Sequence, residues 1–174
     1  MPQKTKNNGF SLFETLIALA IITIIYMMVF FSGDSTVATV KTATHSVMQA
    51  MYLARVHAIQ NNVKVVFCIK DGDDCGSATN DWTKNWLIFA DVNSNKNYDI
   101  NEEILLDETI ETENVSITFG TNVTNIIFKP SGNIVGAINN TFDICMQPNQ
   151  GVGRGVTFYR DGRFYINQDG YDCN

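Results

Sequence analysis

A single carboxylate, Glu14, interrupts an apolar run that extends from Phe10 to Phe31. At about 1.5 Å per residue, a helix over this run is roughly 33 Å long, enough to cross a bilayer core of about 30 Å. A carboxylate at membrane depth costs on the order of 2.5–3.5 kcal/mol, which predicts that Glu14 has a functional role. The alternative is that Glu14 lies near the membrane interface and stays hydrated.

Four cysteines could form disulfides or bind a metal; they are Cys68, Cys75, Cys145 and Cys173. An even number in an exported domain favours disulfides, whereas the same number in the cytosol favours metal or redox chemistry. The sequence has no Cys-x-x-Cys pair, and neither histidine is near the cysteines, which disfavours a zinc site. Four cysteines allow three pairings, and the residues alone leave the pairing open.

The segment 91–102 matches positions 1, 3, 5, 9 and 12 of a calcium-loop frame with oxygen-bearing side chains. Lys96 takes position 6, normally glycine, where it is expected to resist a positive φ and to bring a cation close to the ion. A metal-free loop of turn-forming Asn and Asp residues is the favoured interpretation, and calcium is the alternative. The candidate calcium ligands are Asp91, Asn93, Asn95, Asn97, Asp99 and Glu102.

No arrangement of residues in the sequence is typical of catalysis, so the chain is predicted not to be an enzyme. The glycine-rich segment 151–155 precedes a strand pattern instead of a helix, so it is predicted to be a flexible turn and not a phosphate loop. The formal net charge of −6 disfavours a nucleic-acid binder, which usually carries a basic excess. No cofactor is expected apart from the alternative calcium ion.

The N-terminus indicates an anchor that survives processing. Met1–Asn8 is polar and carries Lys4 and Lys6, which should hold this leader in the cytoplasm and deliver the remainder to the other side of the membrane. An ordinary signal peptide has small residues at the end of its apolar stretch, but residues 26–31 are bulky and the small residue, Gly9, precedes the run.

The remaining chain predicts one amphipathic helix followed by a β-rich head. Small and apolar residues recur at steps of three and four from Val37 to Ala58, as on one face of a helix. Short apolar and β-branched runs then alternate with Gly, Asn and Asp clusters, which predicts an antiparallel sheet domain. Asp161-Gly162 predicts a two-residue hairpin turn. The predicted strands are Val63–Cys68, Trp86–Phe89, Glu103–Leu106, Val115–Phe119, Ile126–Phe128, Thr141–Met146, Val156–Arg160 and Arg163–Ile166.

The first apolar residues, Gly9-Phe10-Ser11-Leu12-Phe13-Glu14, resemble the type IV prepilin motif. The resemblance implies that a prepilin peptidase cuts between Gly9 and Phe10 and N-methylates Phe10. It also implies that Glu14 pairs with the N-terminal amine of a neighbouring subunit in a growing fibre. The implied segments are a cleaved leader (1–9), a transmembrane and polymerisation helix (10–33), an amphipathic helix (34–61) and the head (62–174).

The head resembles the GspH/FimT group of minor pilins and pseudopilins. The similarity lies in the spacing from Cys68 to Cys75, in segments 86–91 and 103–106, in Phe128-Lys129-Pro130-Ser131-Gly132-Asn133, and in Asp161-Gly162-Arg163 before a last cysteine. The resemblance implies an α+β pilin fold, with two antiparallel sheets packed on the second half of a long N-terminal helix. It favours the disulfides Cys68–Cys75 and Cys145–Cys173.

The resemblance also implies a function and its partners. The chain is expected to be a minor pilin or pseudopilin that initiates or caps a fibre for type IV pilus biogenesis or type II protein secretion. Its expected location is the bacterial inner membrane, crossed once, with the head in the periplasm and later in the pilus or pseudopilus. Its expected partners are other pilins or pseudopilins, the prepilin peptidase and the inner-membrane assembly platform.

DNA uptake during natural transformation is the alternative function. Some members of the family take up DNA through a C-terminal Gly-Arg-x-Arg stretch, which corresponds here to residues 162–165 with Tyr165 in place of the second arginine. Arg154, Arg160 and Arg163 are the candidate DNA-binding residues, and aromatic side chains beside them could stack on bases. The acidic balance and the broken motif disfavour nucleic acid as a partner.

Overall fold

A computed structural model of the chain describes residues 11–31, 35–76, 80–109, 114–120, 123–136, 140–147, 153–167, 171 and 173. The chain forms two compact units, residues 1–35 and 36–174. Every side chain of the hydrophobic core lies in the second unit, which we call the head. The head therefore contains its own core.

The first unit contains helix α1, Leu12–Phe31. Its residues 12–30 are long and apolar enough to cross a membrane, and none of that stretch is buried. A helix that is apolar on all sides is stable when it is surrounded by lipid or by other helices, not by water. Gly9, Phe10 and residues 32–34 lie outside the described residues.

Helix α2, Ser35–Asn61, presents one face to the core of the head. The small and apolar residues predicted for this face are buried from Val40 onward, whereas Lys41, His45 and Gln49 on the other side are exposed. The helix ends where Asn62 adopts a φ of 52° and the N–H of Val63 donates to the carbonyl O of Ala58 at 3.3 Å. This pattern is a Schellman C-cap, and asparagine tolerates its left-handed position.

The first sheet contains five strands among the described residues. Strand β3 pairs with β4 on one side and β1 on the other, and the far edge of β1 pairs with both β2 and β6. All of these pairings are antiparallel. The strands are β1 (Lys64–Asp71), β2 (Asp74–Cys75), β3 (Asn85–Asp91), β4 (Ile104–Thr109) and β6 (Asn125–Phe128).

The second sheet contains four antiparallel strands within the same described residues, in the order β5-β7-β8-β9. Its inward side chains join those of α2 and of the first sheet in one core, in which Trp82, Phe119, Phe142 and Phe158 pack mainly edge to face. The strands are β5 (Val115–Phe119), β7 (Asn140–Met146), β8 (Gly153–Phe158) and β9 (Phe164–Asn167).

A second, smaller core covers the opposite face of the first sheet, which we call its outer face. Val66, Leu87 and Phe89 are each no more than 1% exposed there, beside Cys68 and Ile127. Tyr98 and Cys75 pack against this cluster. Segment 91–102, predicted only as a loop, therefore contributes a side chain to a core.

The predicted α+β pilin fold with two antiparallel sheets is confirmed, and each predicted strand overlaps an observed one. The short strand β2 was not predicted. The prediction of a two-residue turn at Asp161-Gly162 is wrong. Three residues, 160–162, separate Tyr159 from Arg163, which pair across the two strands. Gly162 has a φ of 76°. This value is typical of a three-residue hairpin loop, in which a type I turn is followed by a left-handed glycine that forms a bulge.

Candidate assembly site and surfaces of the head

Glu14 lies in the first turn of α1. Ser11 caps this helix, since its Oγ accepts the N–H of Phe13 at 3.3 Å and its carbonyl O accepts the N–H of Glu14 at 3.0 Å. A carboxylate in the first turn also interacts favourably with the positive end of the helix dipole. Within the part of the chain that the structure describes, no ion pair includes Glu14.

Two disulfides join Cys68 to Cys75 and Cys145 to Cys173, with Cα–Cα distances of 5.6 and 5.9 Å. These are the two pairs that the family resemblance favours. The first pair links β1 to β2, and the second joins β7 to the C-terminal residues. Disulfides persist in oxidising compartments, so both bonds are consistent with an exported head.

Tyr171 and Cys173 lie against the second sheet, where two glycines make room for their side chains. A Cβ at Gly153 would overlap with Sγ of Cys173, and a Cβ at Gly155 would overlap with the ring of Tyr171. The prediction of a flexible turn at 151–155 is therefore wrong for these two residues, which belong to β8. Residues 151–152 lie outside the described residues.

Tyr171 also donates a hydrogen bond from its hydroxyl to Oδ1 of Asp143. Asp143 lies on β7 and is half-buried, and desolvation raises the pKa of its carboxyl above the ordinary value of 3.8. The charged form of Asp143 is thus less favourable in the folded head than in the unfolded chain.

The oxygens of the candidate calcium loop are engaged by N–H groups of the same loop. Asp91, only 1% exposed, accepts the N–H groups of Asn95 at 3.0 Å and of Lys96 at 3.3 Å. Glu102 accepts those of Val92 at 2.8 Å and of Asp99 at 3.2 Å. Both carboxylates therefore satisfy backbone donors that an Asn/Asp turn would otherwise leave unpaired.

The other candidate ligands take part in the same network. Oδ2 of Asp99 accepts the side-chain amides of Asn93 at 2.6 Å and of Asn95 at 2.8 Å, and Oδ1 of Asn95 accepts the N–H of Asn97. Lys96 has a φ of 71°, so the expectation that it resists the left-handed conformation is wrong. Among the residues described, no group of three or more His, Cys, Asp or Glu could hold a metal ion. These hydrogen bonds fit the metal-free loop that the sequence favours, and calcium binding stays the alternative.

The three candidate DNA-binding arginines do not form one patch. Arg160 lies in the turn between β8 and β9 and Arg163 directly follows it, whereas Arg154 lies near the other end of β8. Six residues of extended chain span roughly 20 Å. Nε of Arg163 lies 2.6 Å from Oδ2 of Asp161, so this turn carries a carboxylate beside its arginine. The backbone N–H of Arg163 is the main cause that lowers the pKa of Asp161, and its guanidinium adds to the effect.

Sequence reasoning missed the contact of Arg55 on α2 with two turns. Nη2 of Arg55 donates to the carbonyl O of Asp161 at 3.1 Å, and its Nε is buried without a hydrogen-bond partner in the described structure. Gly132 and Gly162 have φ values of 79° and 76°, and a Cβ at Gly162 would overlap with the carbonyl O of Gly132. The helix thus holds together two turns that lie 30 residues apart in sequence. No local pattern marks such a contact.

Comparison with known families and structures gives a consistent result. The family model described as type II transport protein GspH matches residues 43–162, and that of the prokaryotic N-terminal methylation motif matches residues 4–30. The type IV minor pilin FimU of Pseudomonas aeruginosa is similar with a TM-score of 0.62 at 16% identity, over 78% of this chain and 95% of that chain.

The minor pseudopilin EpsH from the type 2 secretion system of Vibrio cholerae is similar with a TM-score of 0.52 at 17% identity, over 76% of this chain and 98% of that chain. At these identities the structural likeness shows the fold alone. Comparison with curated protein sequences gave no significant match. The resemblance to the prepilin motif and to the GspH/FimT group is confirmed by the family matches.

The loop network predicts that Asp91→Ala destabilises the head in the absence of calcium. The change leaves the N–H groups of Asn95 and Lys96 without their carboxylate acceptor, which should lower the free energy of unfolding by about 1–2 kcal/mol. Urea unfolding in EDTA measures this loss, with Asn97→Ala, an exposed residue of the same loop, as the control. A destabilisation seen only when calcium is added would show that Asp91 acts as a metal ligand instead.

Asp143→Asn tests the effect of the buried carboxyl on stability. Because the folded-state pKa of Asp143 is raised, the head loses stability as the pH rises from the ordinary value of 3.8 through the folded pKa. The free energy of unfolding of Asp143→Asn, minus that of the wild type, should therefore increase between pH 3.5 and pH 7.5. Urea titrations over this range measure the difference, with the exposed Asp71→Asn as the control. A difference that falls with pH contradicts the assignment.

Proposed function

The chain belongs to the GspH family of type II transport proteins, and we propose that it is a minor pilin or pseudopilin that initiates or caps a membrane-anchored fibre. The two similar structures are described as a type IV minor pilin and as a minor pseudopilin of a type 2 secretion system, and the matching family model is described as a type II transport protein. We therefore assign this chain a structural role and no catalytic one.

The observation that carries the proposal is the position of Glu14 in α1. An acidic side chain occupies the first turn of a helix that is apolar on every side, within the segment that matches the N-terminal methylation motif. Cleavage between Gly9 and Phe10 creates a new amine at the start of the apolar segment. In a bundle of such helices, the amine of one subunit can neutralise Glu14 of its neighbour, which offsets the cost of placing both charges among apolar side chains.

The proposed location follows from the same segment. Lys4 and Lys6 precede the apolar helix, so the leader stays on the cytoplasmic side and the head reaches the periplasm. The two disulfides of the head are compatible with that compartment. Prepilin peptidase, an inner-membrane assembly platform and other pilins or pseudopilins are the partners that this route requires.

Pilus biogenesis and type II secretion use the same physical features of the subunit. The fold is shared by a type IV minor pilin and by a type 2 secretion pseudopilin at nearly equal identity. Both settings need an anchor that packs with other anchors and a head that stays outside the membrane. The proposal therefore covers initiation or capping in either fibre.

DNA uptake is the less favoured function. An aromatic pair, Tyr159 and Tyr165, stacks at 5.8 Å beside Arg163, and such a platform suits the stacking of bases. However, the carboxylate of Asp161 pairs with Arg163, and Arg154 lies at the far end of its strand. The other cations at the turn are Arg160 and Arg55, and Nη2 of Arg55 already donates to the carbonyl O of Asp161, so a phosphate backbone finds few free cations there.

Glu14→Ala should reduce incorporation of the subunit into sheared fibres at least tenfold, because the amine of the neighbouring subunit loses its partner in an apolar bundle. Quantitative mass spectrometry of the fibres measures incorporation. The same spectra should show a mature N-terminus at methylated Phe10 in both proteins, so that processing is excluded as the cause. Thr15→Ala, the next residue of α1, is the control, and normal incorporation of Glu14→Ala would refute the assembly role.

The head, residues 36–174, should give no salt-sensitive shift of double-stranded DNA in a gel titration between 50 and 200 mM NaCl. Proteins that bind through several phosphates lose affinity steeply over this range. Asp161→Asn removes the carboxylate beside Arg163 and therefore tests whether that carboxylate is what prevents DNA binding. A salt-dependent shift of the wild-type head that is lost in Arg163→Ala would establish the DNA-binding alternative.

A further inference from the structure

A groove of about 390 Å³ opens on the outer face of the first sheet. Apolar side chains line it, namely those of Leu87, Tyr98, Ile100 and Ile104. Ile100 is 89% exposed and Ile104 is 42% exposed. Single exposed apolar residues are ordinary on protein surfaces, but two exposed isoleucines that line one groove together with Tyr98 and Leu87 indicate an interaction site. The groove lies in the lower part of the range of ligand pockets, about 300–1,000 Å³, which suits a few side chains of a partner.

The rim of the groove is acidic. Asp73, Asp74 and Asp107 surround it together with Lys70. Nζ of Lys70 donates to both carboxylate oxygens of Asp107, at 2.8 and 2.7 Å. Three carboxylates against one ammonium leave a net charge of −2 on the rim. A partner that enters the groove must therefore bring positive charge to a mostly apolar surface.

The loop that forms one wall of the groove is held in place by several bonds. The N–H of Tyr98 donates to Oδ1 of Asp74 at 2.9 Å, and its ring packs on Phe89 with centroids 5.7 Å apart. The disulfide Cys68–Cys75 holds the strand that carries Asp74, and the Asp91 network holds the loop. A wall that is ordered before binding reduces the conformational entropy lost on association.

An added β-strand is a poor fit for this part of the head. The groove lies beside β4, the edge strand of the first sheet, but the pairing of β4 with β3 shifts register between Ile88 and Phe89. A bulge of this kind, with Asp107 and Glu108 on the same strand, hinders the pairing of an edge with another strand. Recognition therefore depends on side chains.

From these contacts we propose that the groove docks a basic segment of a neighbouring fibre subunit, in which Lys or Arg is flanked by apolar residues. The aliphatic part of such a side chain can lie on Tyr98 and Ile104 while its cationic end reaches Asp73 and Asp74. The inference rests on the fibre role proposed above and adds to it the chemistry of the partner that the head contacts.

Binding is tested with the peptide acetyl-Leu-Lys-Leu-Arg-Leu-amide as probe. The isolated head, residues 36–174, is suitable because it contains the whole described core. In isoleucine-methyl NMR, the signals of Ile100 and Ile104 should shift saturably, whereas Ile59 on α2 should not.

The peptide Kd should increase about tenfold in Ile100→Ser and about threefold in Asp73→Asn. Val92→Ser, an exposed apolar residue of the same loop outside the groove, should bind as the wild type does.

Three results would overturn the proposed docking chemistry. The first is the absence of shifts at millimolar peptide. The second is an equal response to the matched anionic peptide acetyl-Leu-Glu-Leu-Asp-Leu-amide. The third is a shift of Ile59 that is as large as those of Ile100 and Ile104, which indicates non-specific association.

The partner is tested in the full-length chain in cells. Ile100→Asp should lower incorporation into sheared fibres at least fivefold, whereas Val92→Asp should not. Normal incorporation of Ile100→Asp, with Glu14→Ala excluded from fibres, would refute the groove as a subunit contact and leave the fibre role intact. Normal incorporation of Glu14→Ala would refute the assembly role of that residue, and peptide binding would still report on the groove.

Discussion

The central strands of the first sheet are buried on both faces, and most of the head is arranged to cover them. Five successive residues of β1 and six of β3 are buried. An antiparallel sheet commonly leaves one face in water, so two covered faces require additional elements. Helix α2 and the second sheet cover one face. The outer face is covered in part by Tyr98 of the long loop and by Cys75 of β2.

This constraint gives the Asn- and Asp-rich loop a structural purpose. A loop that must hold an aromatic ring on a core has to keep a defined shape, and its backbone N–H groups need acceptors. Asp91 and Glu102 provide acceptors at the two ends of the loop, and Asp74 provides one for Tyr98. The same residue types suit a calcium loop because both arrangements need oxygens that converge on a tight turn. Composition alone therefore does not distinguish the two.

The features that sequence reasoning predicts well depend on periodicity or on a short linear motif. The helices, the eight longer strands and the family could be predicted, because hydrophobic spacing and the N-terminal motif are local. Two sets of contacts join segments that are distant in sequence: those of Arg55 with the turns at Gly132 and Gly162, and those of Cys173 and Tyr171 with Gly153 and Gly155. For the same reason the groove beside β4 could not be predicted, since its lining comes from three separated segments.

The two units of the chain meet different surroundings, and this difference decides where function is encoded. Helix α1 is apolar on all sides, so any other apolar helix suits it equally well, and its one charge, Glu14, is the feature that can select a register with a neighbour.

The head has its own core and two disulfides, so it does not need the fibre to fold. Its contribution to assembly must then come from its surface, where an acidic rim around exposed isoleucines combines charge with apolar area. Charge on a head surface discriminates between partners because a wrong partner places like charges together. In the proposed fibre, anchor packing would therefore supply affinity that many subunits share, and head contacts would supply the choice of neighbour.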